Sequence, residues 1–133
     1  MLLTIGTDVG WSYGVKVGLP LVASDNVISL ALGGLTYGVS PLDMAGAYNA
    51  YANGGIYNEL YCIEKIVDAG GNIVYQHKPE PEQVVSPATA YIVTDMMTTT
   101  TRSGTGTKAA ISGWQVASKT GTTQLSQIGR AHV

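Results

Sequence analysis

The sequence predicts an α+β domain built in layers, an antiparallel β-sheet flanked by helices. Three observations lead there. Ser40-Pro41 and Ser86-Pro87 each open a stretch of helical character, and a serine N-cap with proline at the first helical position is a start signal. Between those stretches, two runs rich in β-formers are joined by Asp68-Ala69-Gly70-Gly71, which is hairpin chemistry because glycine takes positive φ at little cost. The run from Trp114 to Thr122 reads as a last strand. Helix, loop, helix, hairpin, helix and strand in that order suit a sheet covered by helices.

Taken in order, Leu2 to Gly18 reads as a helix pair or one interrupted helix, weakened by Gly6, Gly10 and Gly14. Gly18-Leu19-Pro20 stops it. Leu21 to Leu30 is a loop with Ser24-Asp25-Asn26 at its polar centre, and Gly33-Gly34 and Gly38 mark another. The helix from Pro41 runs to about Asn53 and stops at Gly54-Gly55. Asp43 favours the positive end of its dipole, and Ala45, Gly46, Ala47, Ala50 and Ala52 permit close packing. Strands follow at Tyr61 to Val67 and Asn72 to Tyr75, then a polar, proline-broken loop from His77 to Glu82. The helix from Pro87 carries Tyr91, Ile92, Met96 and Met97 on a helical period. Thr98 to Thr101 is expected to fray its end, since β-branched residues are poor helix formers. Ser103 to Gly106 is a turn.

Composition narrows the function. Hydrophobic residues make up 45% of the 133 and charged residues 12%, which excludes a disordered polyelectrolyte. A net charge of −2 and the lack of any Lys/Arg cluster argue against a nucleic-acid surface. No apolar run approaches membrane-spanning length. Met1-Leu2-Leu3 is too short for a signal peptide, so any export signal is expected elsewhere. Cys62 stands alone, which rules out an internal disulfide; in the run Tyr61-Cys62-Ile63 it reads as a small buried residue. His77 reads as a solvated side chain.

Several segments, in register, resemble one family. Leu30 to Leu42, which contains Gly34-Leu35-Thr36-Tyr37-Gly38-Val39-Ser40-Pro41, is followed by Ala47-Tyr48-Asn49-Ala50-Tyr51-Ala52-Asn53-Gly54-Gly55. Val85-Ser86-Pro87-Ala88-Thr89-Ala90-Tyr91, then Thr94-Asp95-Met96-Met97, then Gly104-Thr105-Gly106 continue the series, and Lys119-Thr120-Gly121-Thr122 closes it. Together, over residues 2 to 125, they resemble the transpeptidase domain of class A penicillin-binding proteins, an incomplete serine β-lactamase-like fold. Lys-Thr-Gly on a strand is the third signature of serine acyltransferases that react with penicillin.

The resemblance implies roles. Lys119 would hold positive charge beside a serine cluster and toward a substrate carboxylate, and Thr120 and Thr122 would hydrogen-bond that carboxylate. Gly121 would leave room for a substrate backbone beside the strand. The N–H of Thr122 would be one oxyanion-hole donor. The expected catalytic residues are therefore Lys119 and Thr122, with Thr120, Gly121 and Thr122 binding substrate and no metal or cofactor. The family's nucleophile is the serine of a Ser-x-x-Lys. Lysines stand at 16, 65, 78, 108 and 119, and three positions before them are Tyr13, Cys62, Tyr75, Thr105 and Val116. None is serine, so the attacker is expected on polypeptide outside this chain, and the chain alone is expected to be inactive.

Ser24-Asp25-Asn26 spells the family's second motif, Ser-x-Asn. That motif comes just before a Leu-Leu-x-x-Ile-Gly helix, whose place is taken here by Leu2-Leu3-Thr4-Ile5-Gly6, so Ser24 to Asn26 reads as a plain turn. Ser118 stands where the family usually has glycine, and its added hydroxymethyl is expected to crowd a neighbour. Leu60 stands where proline is common. Gln127 to Val133 fits nothing in the family; its codons are compatible with a sequencing adapter read in frame. Residues 1–126 are thus expected to be the C-terminal part of a transpeptidase domain, and 127–133 a non-native tail in which Arg130 and His132 do nothing.

By resemblance, the parent protein is a peptidoglycan D,D-transpeptidase that transfers acyl groups from D-Ala-D-Ala stem peptides. Stem peptides and β-lactams would be its ligands, and nucleic acid is not expected. Its other parts would be the missing N-terminal portion of the same domain and an upstream glycosyltransferase domain. It would work at the extracytoplasmic face of the bacterial cell membrane. A penicillin-sensing receptor domain and a serine β-lactamase-like protein are the alternatives on this fold, because fold alone does not separate sensing from catalysis.

Overall fold

The computed structural model describes residues 2–121 and the backbone of residues 130–132. The chain begins with α1 (Leu2–Ile5) and α2 (Thr7–Lys16), one helix interrupted at Gly6. The glycines that weaken α2 also let neighbours close in: a Cβ on Gly14 would stand 2.5 Å from Leu21 Cδ1. At Gly18, φ is +82° and a Cβ would overlap the Tyr57 ring, so the stop after α2 needs glycine for both reasons.

The segment read as a loop contains two short 3-10 turns, Ala23–Asp25 and Ile28–Leu32. Asp25 organises the first. Its carboxylate accepts from Val22 N–H at 3.0 Å and from the N–H and hydroxyl of Thr36, each at 2.7 Å. Ser24 and Thr36 share a hydroxyl hydrogen bond of 2.9 Å, and Asn26 Nδ2 donates to Asp8 Oδ1 at 2.5 Å. All three side chains of the Ser-Asp-Asn run are thus engaged in holding the loop.

Helix α3 (Pro41–Ala52) starts with a reciprocal cap: Ser40 Oγ accepts from Asp43 N–H at 3.1 Å, and Asp43 Oδ2 accepts from Ser40 N–H at 2.8 Å. Its small residues do what their size suggests. Ala47 and Ala50 join Val17 and Val84 in a buried cluster, with Leu19 and Tyr57 packed against it. Gly46 receives Leu60, whose Cδ1 would lie 2.9 Å from a Cβ there, so Leu60 packs against α3.

The strands are shorter than the sequence suggests. β1 (Ile56–Tyr57) pairs antiparallel with β4 (Glu82–Gln83), which falls at the end of the expected loop. β2 (Lys65–Val67) pairs antiparallel with β3 (Ile73–Gln76), with a register shift between Ile66 and Val67. The expected hairpin turn is present: Asp68 Oδ1 accepts from Gly70 and Asn72 N–H, both at 2.8 Å. Residues 61–64 do not join β2. Cys62 there is exposed rather than buried. His77 is not simply solvated: its ring stacks on Tyr61 with centroids 3.8 Å apart.

Ser86 caps α4 (Pro87–Ser103) by accepting from Thr89 N–H at 3.1 Å. The threonines at its end do not fray it; Thr101 is buried there and bonded to another element, and that packing outweighs weak propensity. A 3-10 turn (Thr107–Ala109) follows. Trp114 to Ala117 is not strand, because the chain turns through Gly113 at φ +83° and Trp114 N–H bonds back to Ile111 O at 3.1 Å. β5 is confined to Ser118–Thr120 and pairs antiparallel with β6 (Arg130–His132). The class is α+β as expected, with the described strands arranged as three antiparallel pairs rather than one continuous sheet.

Candidate active site

The strand β5 alternates as a strand must. Ser118 is buried, Lys119 exposed and Thr120 half-buried, so Ser118 and Thr120 share the face toward the end of α4 and Lys119 leaves by the other. Lys119 Nζ donates to the carbonyl of Thr120 at 2.6 Å. Thr120 Oγ1 lies 2.7 Å from Thr105 Oγ1, in the turn that follows α4. Beneath it, Ser118 Oγ lies 2.8 Å from Thr101 Oγ1.

Ser118 is accommodated without a clash. The residue opposite it is Gly106, where a Cβ would stand 2.6 Å from Ser118 Oγ, and Thr101 supplies a hydrogen-bond partner. Gly121 is exposed at the end of the strand. Thr122 and residues 123–129 lie outside the described residues. Hollows among the described residues lie elsewhere. One of about 110 Å³ lies between α4 and the segment Trp114 to Val116, and one of about 310 Å³ lies beside Asn49, Leu60 and Tyr61. Neither is lined by Lys119 or Thr120.

The family model of the penicillin-binding protein transpeptidase domain matches residues 7–131. The chain belongs to that family. Among penicillin-binding proteins, it is 37% identical to penicillin-binding protein 1F of Bacillus subtilis over 96% of this chain and 17% of the relative. It is 37% identical to penicillin-binding protein 1A of Clostridium botulinum over 89% of this chain and 15% of the relative. The class A resemblance stands on these relatives. In structure it is similar to the D,D-transpeptidase domain of a peptidoglycan glycosyltransferase from Eggerthella lenta, with TM-score 0.60 and 37% identity over 65% of this chain and 21% of that one. It is also similar to penicillin-binding protein 3 of Mycobacterium tuberculosis complexed with ampicillin, with TM-score 0.62 and 34% identity over 68% of this chain and 21% of that one. The chain therefore spans about a sixth of the length of these curated relatives.

Within this penicillin-binding protein segment, the sequence-predicted residues Lys119, Thr120 and Gly121 are contiguous on or beside β5. Ser24, Asp25 and Asn26 sit in the loop after α2, engaged with Thr36 and Asp8. Sequence reasoning missed Thr101 and Thr105 as partners of the strand. The only signal was the Gly104-Thr105-Gly106 turn, which marks a close approach without naming what approaches. Among the described residues no group of three or more His, Cys, Asp or Glu gathers to hold a metal ion.

Proposed function

We propose that this chain is the C-terminal part of a D,D-transpeptidase domain that cross-links peptidoglycan and is acylated by β-lactams. The observation that carries the reading is the family match through residue 131, which includes the strand bearing Lys119 and Thr120. On this reading the serine comes from polypeptide outside residues 1–133. Its hydroxyl attacks the carbonyl carbon of the penultimate D-Ala and gives its proton to the neighbouring lysine of Ser-x-x-Lys. The peptide bond breaks and D-Ala leaves with a proton. An acceptor amine then attacks the ester and restores the serine hydroxyl.

Lys119 contributes positive charge along the edge where the ligand's carboxylate lies, and Thr120 and Thr122 donate hydroxyl hydrogen bonds to it. Gly121 lets the peptide backbone approach. Thr122 N–H is one oxyanion-hole donor, and the serine N–H is the other. Apolar side chains support the need for further polypeptide: Leu3 on α1, and Tyr91 and Met96 on α4, are more than half exposed, as expected of helices that another part of the domain covers. A glycosyltransferase domain upstream and an anchor outside this chain place the enzyme at the outer face of the cell membrane; no helix among the described residues is long and apolar enough to span one. The reading of residues 127–133 as a non-native tail stands against a family match that runs to residue 131 and against the pairing of Arg130–His132 with β5; the codons that follow Ser126 in the genomic gene test it. A fluorescent penicillin separates the functional outcomes: it labels the full-length protein covalently and leaves residues 1–133 unlabelled, whereas a full-length protein that takes no label would contradict the transpeptidase reading.

A further inference from the structure

We propose that Thr105 is a positioning residue that orients and polarises the Thr120 hydroxyl as a hydrogen-bond donor to the ligand's carboxylate. The inference rests on the reading above, in which Thr120 meets that carboxylate.

A hydroxyl has one proton and two acceptor sites. The 2.7 Å contact between Thr105 Oγ1 and Thr120 Oγ1 uses one of the two protons. If Thr120 donates into Thr105, it has no proton left for an anion. If Thr105 donates into Thr120, the Thr120 proton is free and can point to the strand edge. A carboxylate only accepts, so its arrival selects the second arrangement. The result is a directed chain from Thr105 to Thr120 to the carboxylate, in which each hydrogen bond polarises the next.

The turn that carries Thr105 is held well enough to do this. Gly104 N–H and Gly106 N–H both donate to Thr100 O at 3.1 Å, tying the turn to the end of α4. One step away, the Thr101–Ser118 hydrogen bond ties α4 to β5 at 2.8 Å. Gly106 is buried against Ser118 with no room for a side chain. Thr105 is therefore placed over β5 by contacts on both sides of it, while remaining exposed itself. An exposed threonine bonded only to another hydroxyl adds little stability, so its effect is expected in ligand binding.

The test uses the full-length protein and two probes, benzylpenicillin and its methyl ester, which differ in whether the carboxylate carries a charge. Thr105→Val keeps the shape and removes the hydroxyl. Acylation by benzylpenicillin should fall about threefold, the loss expected when a neutral hydrogen bond that orients and polarises the donor is removed, while acylation by the ester is unchanged. Thr105→Ser should restore the wild-type ratio of the two rates. In a Thr120→Val background, Thr105→Val should have no further effect. Equal loss with both probes, or no loss with either, would overturn the proposal. Thr105→Ala carries the same comparison if the valine variant does not fold. A wild-type protein that benzylpenicillin does not acylate would instead overturn the transpeptidase reading, so the two failures are distinguishable.

Discussion

Ser118 Oγ and Thr101 Oγ1 share a 2.8 Å hydrogen bond between two buried residues, 3% and 5% exposed. It joins the last full turn of α4 to the strand that carries Lys119. A buried hydroxyl without a partner costs about 1–3 kcal/mol, so each of these residues makes the other tolerable. Ser118→Ala should therefore destabilise the folded protein by about that amount. Thr101→Val combined with Ser118→Ala should recover most of the loss, because no orphaned hydroxyl remains. Chemical unfolding of the two single variants and the double variant measures the coupling.

The same contact explains why Gly106 has no side chain. Gly106→Ala would place a Cβ 2.6 Å from Ser118 Oγ and 3.2 Å from Thr100 Cγ2. The expected loss is about 1–3 kcal/mol from overpacking. In a Ser118→Gly background the nearest of these atoms is gone, and Gly106→Ala should be much better tolerated. Equal losses in both backgrounds would mean that Ser118 is not what excludes a side chain at 106.

How far the sequence alone reached follows from the range of each interaction. Ser40-Pro41 and Ser86-Pro87 marked both helix starts because capping is satisfied within three residues. The Asp68 turn was legible for the same reason. The contacts of Thr101 with Ser118 and of Thr105 with Thr120 span 17 and 15 residues. They are hydroxyl pairs with no periodicity, and nothing local announces them. Their neglect is also why Thr98 to Thr101 looked like a fraying end. β5 is shorter than the apolar run suggested because the turn at Gly113 diverts the backbone, and β1 and β4 are too short to leave an alternating pattern. The candidate site was read from the motif Lys119-Thr120-Gly121-Thr122 alone, and Thr105 does not belong to that motif.

Helix capping gives a third expectation. Ser86→Ala removes the acceptor for Thr89 N–H, and the loss should be about 1 kcal/mol. Ser86→Gly should cost only a few tenths. Thermal unfolding of the pair distinguishes a capping role from a general sensitivity of this turn.

Asp25 should contribute to acid stability. The Thr36 hydroxyl first, then the backbone N–H groups of Val22 and Thr36, hold its carboxyl below its ordinary 3.8. In that window the unfolded chain binds more protons than the folded one. The stabilisation is therefore fully present above the ordinary value and is lost as pH falls through the lowered, folded value. Thr36→Val removes the leading donor and should move the acid-unfolding midpoint to higher pH. An unchanged midpoint would show that Asp25 does not set the acid limit.

Cys62 is exposed and free of any disulfide. A thiol reagent should modify it in the folded protein at a rate close to that of the unfolded chain, since access sets thiol reactivity along with thiolate fraction. Strong protection would mean that residues beyond the described part cover the segment before β2.

The central claim is that this segment supplies the ligand-gripping strand of a transpeptidase whose nucleophile is elsewhere. Intact-mass and peptide mass spectrometry after incubation with benzylpenicillin tests it most directly. Residues 1–133 alone should show no adduct, and the full-length protein should show one adduct on a serine outside them. An adduct on any residue of 1–133 would contradict the account.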